Sequence, residues 1–355
     1  MLAAAETQAI LRRAASCRVI VAGDLMLDEY FWGEIERISP EAPVPVLQLR
    51  RAEHMLGGAA NVARNLASMG ARVSAVGVAG TDTAGAALLD SLDQAGIDRE
   101  SVLLEAGRPT TRKCRLMSSE HGQQVFRFDV EVTEEIPTAV EERLLGAMRE
   151  QIGPADAVVC SDYRKGVLTP RVLREIAAMT REQGVLLVTG PKDTRAEKYA
   201  GATVLMPNLR EFAAMTGERR GPDAAMWLDR AAEGLLGEHG FAALLVTRGR
   251  EGMTLFEKTE GTVRREDIAS VTRSVYDVTG AGDTALGVFA LCLASGATRS
   301  EAAQLANVAA GIVVGKRGTA CATPADILGR IYEESESQAS LQRFSRTPYS
   351  RAIGV

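Results

Sequence analysis

The sequence predicts an α/β protein: a doubly wound, mostly parallel sheet flanked by helices, with a small inserted β-sheet lid. Three observations carry this. Short β-branched runs alternate with longer stretches of helical periodicity along most of the chain. Helix boundaries carry their own punctuation, with a Thr-Pro start and glycine stops. Two stretches break the rhythm, 30–55 with its clustered prolines and 109–132 with its strict alternation.

Taken in order, residues 1–17 are expected to form an N-terminal helix, and Arg18–Ala22 a buried strand. Gly58–Met69 reads as a helix with Val62, Leu66 and Met69 on one face and Gly70 as its stop. Arg72–Val78 is a strand, Ala84–Gln94 a helix ended by Gly96, and Ala157–Ser161 a strand. Thr169 caps a helix that has Pro170 at its first position and closes at Gly184. Strands follow at Val185–Thr189, Thr203–Met206 and Ala242–Thr247, then helices over about 281–294 and 300–315. The α/β body is therefore 18–29, 56–108 and 133–330, interrupted by two lid segments, 30–55 and 109–132, expected to form an antiparallel sheet over the carboxyl edge of the main one. The polar tail, 331–355, is expected to be a loose arm.

Composition excludes several classes. Of 355 residues, 41 are Lys or Arg and 46 Asp or Glu, a net charge of −5 that argues against a nucleic-acid surface. No run approaches the ~20 apolar residues of a membrane span. The N-terminus has Glu6 early and Arg12-Arg13 late, the reverse of a signal peptide. Cysteines 17, 114, 160, 292 and 321 are odd in number and form no CxxC, so reduced thiols in a cytoplasmic protein are expected. His54, His121 and His239 are too scattered for a histidine metal site. No GxGxxG opens a βαβ unit, and Gly311…Gly315-Lys316 lacks P-loop spacing.

The most informative run is 275–287. Gly280-Ala281-Gly282-Asp283 stands where a loop becomes a helix, so backbone N–H groups can point at an anion. A carboxylate there fits a base that takes a proton from an attacking hydroxyl while the amides hold the transferring phosphoryl group. It equally fits an acid that merely favours the positive end of its helix. Gly57-Gly58 and Asn61 at a helix start allow close approach of a ligand, or else tight packing. Asp24 and Asp28 after the first strand suit sugar hydroxyls, or else turn chemistry. Asn208 and Glu211, at i and i+3, suit the water shell of Mg²⁺ or a capping box.

Together, in this order, these motifs resemble the ribokinase/PfkB family of carbohydrate kinases over about 18–327. Finer runs, namely 37–46 (RISPEAPVPV), 56–62 (LGGAANV), Ser161-Asp162-Tyr163 with Lys165-Gly166, and 275–279 (VYDVT), are similar to its D-glycero-D-manno-heptose 7-phosphate kinases of lipopolysaccharide core synthesis. The resemblance implies a ribokinase-like fold and transfer of the ATP γ-phosphoryl to O1 of the heptose phosphate, giving the β-1,7-bisphosphate on the way to ADP-heptose. It implies Asp283 as base and Gly280, Ala281 and Gly282 as the anion hole. Asn208 and Glu211 would serve Mg²⁺ through water. Asp277 and Thr279, with carbonyls of Val313, Lys316 and Gly318, would hold a monovalent cation, K⁺. Adenine would lie between the loop after Thr247-Arg248-Gly249 and the helix bearing Asn307 and Gly311. The sugar would fall to Asp24, Asp28, Gly58, Asn61 and Asp162. Arg112, Lys113, Arg115, Arg127, Lys165 and Lys192 are the candidates for the 7-phosphate. A homodimer through the lid is implied, with sugar phosphate and ATP as the small-molecule partners. Many such kinases are fused to an adenylyltransferase bearing HxGH; none occurs here, so the kinase alone is expected. One departure stands out. Where such kinases read Asp-Pro-Lys this chain reads Gly190-Pro191-Lys192, which predicts retained binding and slower turnover. The alternatives are another sugar or sugar-phosphate kinase of this fold (fructose phosphate, ribose, a nucleoside) or a binding protein that has lost catalysis.

Overall fold

Short apolar runs make the central strands because both faces of the sheet are covered. In β1 (Arg18–Gly23) every residue after Arg18 is buried, as in a strand sandwiched between helix layers. The computed structural model describes residues 2–120, 122–217, 224–259, 261–272, 275–316 and 320–345. After α1 (Ala4–Ala14) and β1 come β2 (Leu25–Ile38), β3 (Pro45–Gly58), α2 (Ala59–Ser68), β4 (Arg72–Gly80), α3 (Thr83–Gln94), β5 (Val102–Glu105), β6 (Thr111–Ser118) and β7 (Gln124–Val130). Then follow α4 (Thr138–Ile152), β8 (Ala157–Ser161), α5 (Pro170–Gln183), β9 (Leu186–Gly190), β10 (Val204–Leu205), α6 (Leu209–Thr216), α7 (Ala224–His239) and β11 (Ala243–Thr247). The chain continues through β12 (Met253–Thr259), β13 (Thr262–Ile268), α8 (Ala281–Ala294), α9 (Arg299–Val313) and α10 (Pro324–Ser345).

The main sheet has nine strands in the order β13-β12-β11-β10-β9-β8-β1-β4-β5. It is parallel except where β12 and β13 run antiparallel at one edge. One core layer joins α1, α2, α3, α8 and α9 to one face of the sheet; the other joins α4, α5 and α7 to the opposite face. Thr169 caps α5 by accepting from Val172 N at 3.1 Å, and Gly184 closes it in the left-handed region, φ 67°. The register pairs Gly23 with Ser161 and Ser161 with Gly190, so the carboxyl ends of β1, β8 and β9 finish level with one another.

The second sheet has the order β3-β2-β6-β7. It departs from expectation in two ways. Pairing of β2 with β6 is parallel, so the sheet is mixed, not antiparallel. It also starts at Leu25 and ends at Gly58, so its strands leave β1 and enter α2 without a linker. Gly58 makes that entry possible: its φ is 53°, and a Cβ there would lie 2.6 Å from Met26 Cε and 2.7 Å from the Asp24 carbonyl oxygen. The expected loose arm is helical as far as Ser345 in α10, and residues 346–355 lie outside the described residues. Several elements were not assigned in the reading above: β5, α4, α6, α7, the β12–β13 hairpin and α10.

Candidate active site

α8 is apolar on nearly every side and lies in the core, with residues 283–292 buried. Its first turn nevertheless carries Asp283, only 8 % exposed. Gly280 precedes the helix with φ 77°, and the first-turn N–H groups have no helical carbonyl to bond. One of them, Ala281 N, turns back to the Val278 carbonyl at 3.3 Å. Both Asp283 oxygens are held. Asn61 Nδ2 donates to Oδ2 at 2.8 Å, and the Tyr163 hydroxyl donates to Oδ1. Burial favours the neutral acid and lifts the Asp283 pKa from 3.8 to about 6, while the two donors and Lys192 pull it back. Asn61 is itself oriented by Arg64 Nη2 at 3.2 Å. Asn65 ties α2 to α8 by accepting from Thr284 Oγ1 at 2.9 Å.

Three spaces open at this edge. A narrow pocket of about 100 Å³ is bordered by Tyr163, Gly190, Lys192, Glu211 and Asp283. A cavity of about 810 Å³ lies between the 247–253 loop and α9, lined among others by Gly249, Met253, Asn307 and Gly311. Asn208, Thr247 and Gly282 border both. A third space of about 480 Å³ carries Arg164, Lys165, Arg195 and Lys198, and shares Tyr163 with the first.

The structure brings Asp283, Asn61, Gly282, Asn208, Glu211, Lys192, Thr247, Gly249, Asn307 and Gly311 to these connected spaces. Asn208 and Glu211 form a complete capping box on α6. Glu211 Oε2 accepts from Asn208 N at 2.9 Å and Oε1 from Lys192 Nζ at 2.7 Å. Glu211 still borders the pocket, with each of its oxygens already accepting one hydrogen bond. Asp277 Oδ1 accepts from Thr279 N at 2.9 Å in the turn before Gly280. The Val313 carbonyl already accepts from Lys316 N at 3.0 Å, and Gly318 lies outside the described residues.

Other expectations are corrected. Asp24 is 1 % exposed, and its carboxylate accepts from the N–H groups of Tyr163, Lys165 and Val167 at 2.7, 3.0 and 3.2 Å. It anchors a loop and does not face a ligand; burial and the neighbouring Asp162 push its pKa up. Asp162 likewise binds Lys198 Nζ at 2.7 Å and the Tyr199 hydroxyl at 2.6 Å. Arg248 pairs with Asp267 at 3.6 Å and does not line the larger cavity, as its neighbours Thr247 and Gly249 do. Asp28 forms a buried ion pair with Arg115 at 2.8 Å. All six candidate cations hold carboxylates: besides Arg115 and Lys192, Arg112 pairs with Glu29, Lys113 and Arg127 with Asp129, and Lys165 with Glu131. Tyr163 and the hairpin residue Met253 were missed as individuals. Tyr163 lies two residues past the end of β8, which was the available signal.

Known proteins match this arrangement. The pattern of the pfkB family carbohydrate kinases fits residues 18–326. The chain belongs to this family. As a PfkB member it is an ATP-dependent sugar kinase with a ribokinase-like fold. It is 43% identical over 336 residues to the bifunctional protein HldE of Geobacter metallireducens, covering 94% of this chain and 67% of that one. It is 44% identical over 326 residues to HldE of Citrifermentans bemidjiense, covering 92% and 66%. The chain thus spans about two thirds of the length of these relatives. In fold it is similar to phosphofructokinase-2 from Escherichia coli in complex with potassium, with a TM-score of 0.75, 19% identity, and 90% and 99% of the two chains covered. Arabidopsis thaliana ribokinase complexed with ribose and ATP has a TM-score of 0.69 at 20% identity, covering 89% and 99%. Among the described residues, no helix is long and apolar enough to cross a membrane.

Proposed function

We propose that this PfkB kinase phosphorylates O1 of D-glycero-D-manno-heptose 7-phosphate. The observation that carries the reading is the continuity of the Asp283 pocket with the larger cavity through Asn208, Thr247 and Gly282. That continuity sets a base beside the end of a nucleotide-sized space. Small residues suit that space to a flat base: a Cβ on Gly311 would lie 3.1 Å from Val271 Cγ2. ATP bound there supplies the γ-phosphoryl group. Asp283, as carboxylate, takes the proton from the attacking hydroxyl; the free N–H groups of the first turn of α8 face the charge that develops. Asn61 fixes the carboxylate. Glu211 orients Lys192 and, with Asn208, would serve Mg²⁺ through water, the ion neutralising phosphate charge. Asp277 and Thr279 would hold K⁺.

A phosphorylated sugar is favoured because Arg164, Lys165, Arg195 and Lys198 outnumber Glu135 and Asp193 around a space that shares Tyr163 with the base pocket, although Lys165, Arg195 and Lys198 each hold a carboxylate here. The names of the HldE relatives are consistent with a heptose role. A lid-mediated homodimer is supported by Leu49, Val125, Phe126 and Phe128, which are 54%, 41%, 58% and 40% exposed on lid strands.

The test is ATP consumption with Mg²⁺ and K⁺ across heptose 7-phosphate, fructose 6-phosphate, fructose 1-phosphate and ribose. The expected result is the highest kcat/KM for the heptose phosphate. A higher value for any other sugar would overturn the substrate assignment and leave the kinase. ATP binding without turnover of any sugar would favour a binding role.

A further inference from the structure

Tyr163 has no part in the mechanism above, yet its hydroxyl donates to one oxygen of Asp283 while Asn61 holds the other at 2.8 Å. Its backbone is fixed as firmly. The N–H of Tyr163 donates to Asp24 at 2.7 Å, that of Arg164 to Asp162 at 2.7 Å, and that of Lys165 to Asp24 at 3.0 Å. Arg164 is the one non-glycine with positive φ among the described residues, at 57°. Such a conformation persists where surrounding bonds over-determine it. The Lys192 ammonium lies 5.6 Å over the Tyr163 ring. Tyr163 is thus held at both ends, between the loop that borders the cationic space and the carboxylate on α8.

Resting on the assignment of Asp283 as the base, we infer that Tyr163 is a positioning residue for phosphoryl transfer, clamping the Asp283 carboxylate in its ionised form and tying its orientation to the 162–167 loop. The charge balance around Asp283 agrees. Burial opposes ionisation, and so does Asp28, whose own charge is paired with Arg115 at 2.8 Å. Lys192 favours ionisation but is shared with Glu211 at 2.7 Å. The hydrogen bonds from Asn61 and Tyr163 supply the rest. Burial and the negative charges of Asp283, Asp28 and Glu211 hold the Tyr163 phenol well above its usual pKa. It therefore remains a donor throughout the working range and does not act as a second base.

The experiment compares wild type with Tyr163→Phe in the pH dependence of kcat/KM, and reads the Asp283 carboxyl directly by ¹³C NMR in the unliganded protein. Loss of the hydroxyl removes a bond that favours the charged form, so the acid limb moves upward from about 6 by about one pH unit, a roughly tenfold loss of rate below the limb. The NMR titration moves with it, and KM for ATP stays within about twofold. A uniform loss at every pH with the limb and the NMR titration unmoved would overturn the inference, since a merely structural role predicts that. Asp283→Asn separates the two levels. Full activity in that variant would bring down the base assignment itself, whereas an inactive Asp283→Asn with an unmoved limb in Tyr163→Phe overturns this inference alone.

Discussion

Replacing Asp283 by Asn should abolish most turnover and at the same time stabilise the unliganded fold. The carboxyl is buried and its pKa lies at about 6 where 3.8 is ordinary, because taking the charge out of water costs more than Asn61, Tyr163 and Lys192 return. The sign follows from proton linkage. Between these two values the folded state binds more protons than the unfolded one, so stability falls as pH rises from 3.8 through about 6 and stays lower at neutral pH. At 1.36 kcal/mol per unit this amounts to about 3 kcal/mol at pH 7.5. The replacing amide carries no charge. It keeps the Tyr163 bond through its oxygen but places a second donor against Asn61, forfeiting about 1 kcal/mol. The net expectation is about 2 kcal/mol of added stability at pH 7.5, shrinking towards pH 4. Loss of the base should lower kcat by ~10²–10⁴ with ATP binding near normal. Denaturant titration at several pH values and steady-state kinetics on one preparation measure both. A variant that is less stable at pH 7.5, or that loses less than tenfold in kcat, would refute the reasoning.

Three further outcomes are expected. Gly190→Asp, which restores the acid expected at this position, should raise kcat at nearly unchanged melting temperature, because the one close neighbour of a Cβ there is Leu286 Cδ2 at 2.7 Å, the end of a side chain that can shift; no gain in kcat would show that the missing carboxylate does not limit turnover. Glu211→Gln should weaken the bond to Lys192 and raise the Mg²⁺ concentration for half-maximal rate, and an unchanged metal titration would reject that role. Phe126→Glu, at a residue 58% exposed on β7, should shift the sedimentation profile from dimer to monomer; an unaltered profile would remove the lid from the dimer interface.

Much of this protein was legible in local pattern. The run 280–283 announces a helix N-terminus with an acid in its first turn, and Thr169-Pro170 with Gly184 bounds α5 as read. Such signals survive because capping and glycine conformations depend on a few neighbours in the chain. The β12–β13 hairpin escaped because only its first four residues (MTLF) form a buried apolar run, while EKT and most of TVRREDI are polar and lie at the partly exposed sheet edge. The parallel β2–β6 pairing escaped because no local signal encodes which distant strand lies alongside. The sequence by itself determined the strand–helix alternation, the family and the presence of an acid in the first turn of α8. Only the tertiary structure decided which polar groups face a ligand. Asp24 and Asp283 look alike in sequence, each beside a glycine at an element boundary. The first is spent on three backbone N–H groups and the second opens on the pocket, because long-range register brings Ser161 and its loop beside Gly23 and lays α2 against α8. A side chain's chemistry is local, but its hydrogen-bond partners are set by segments more than a hundred residues away.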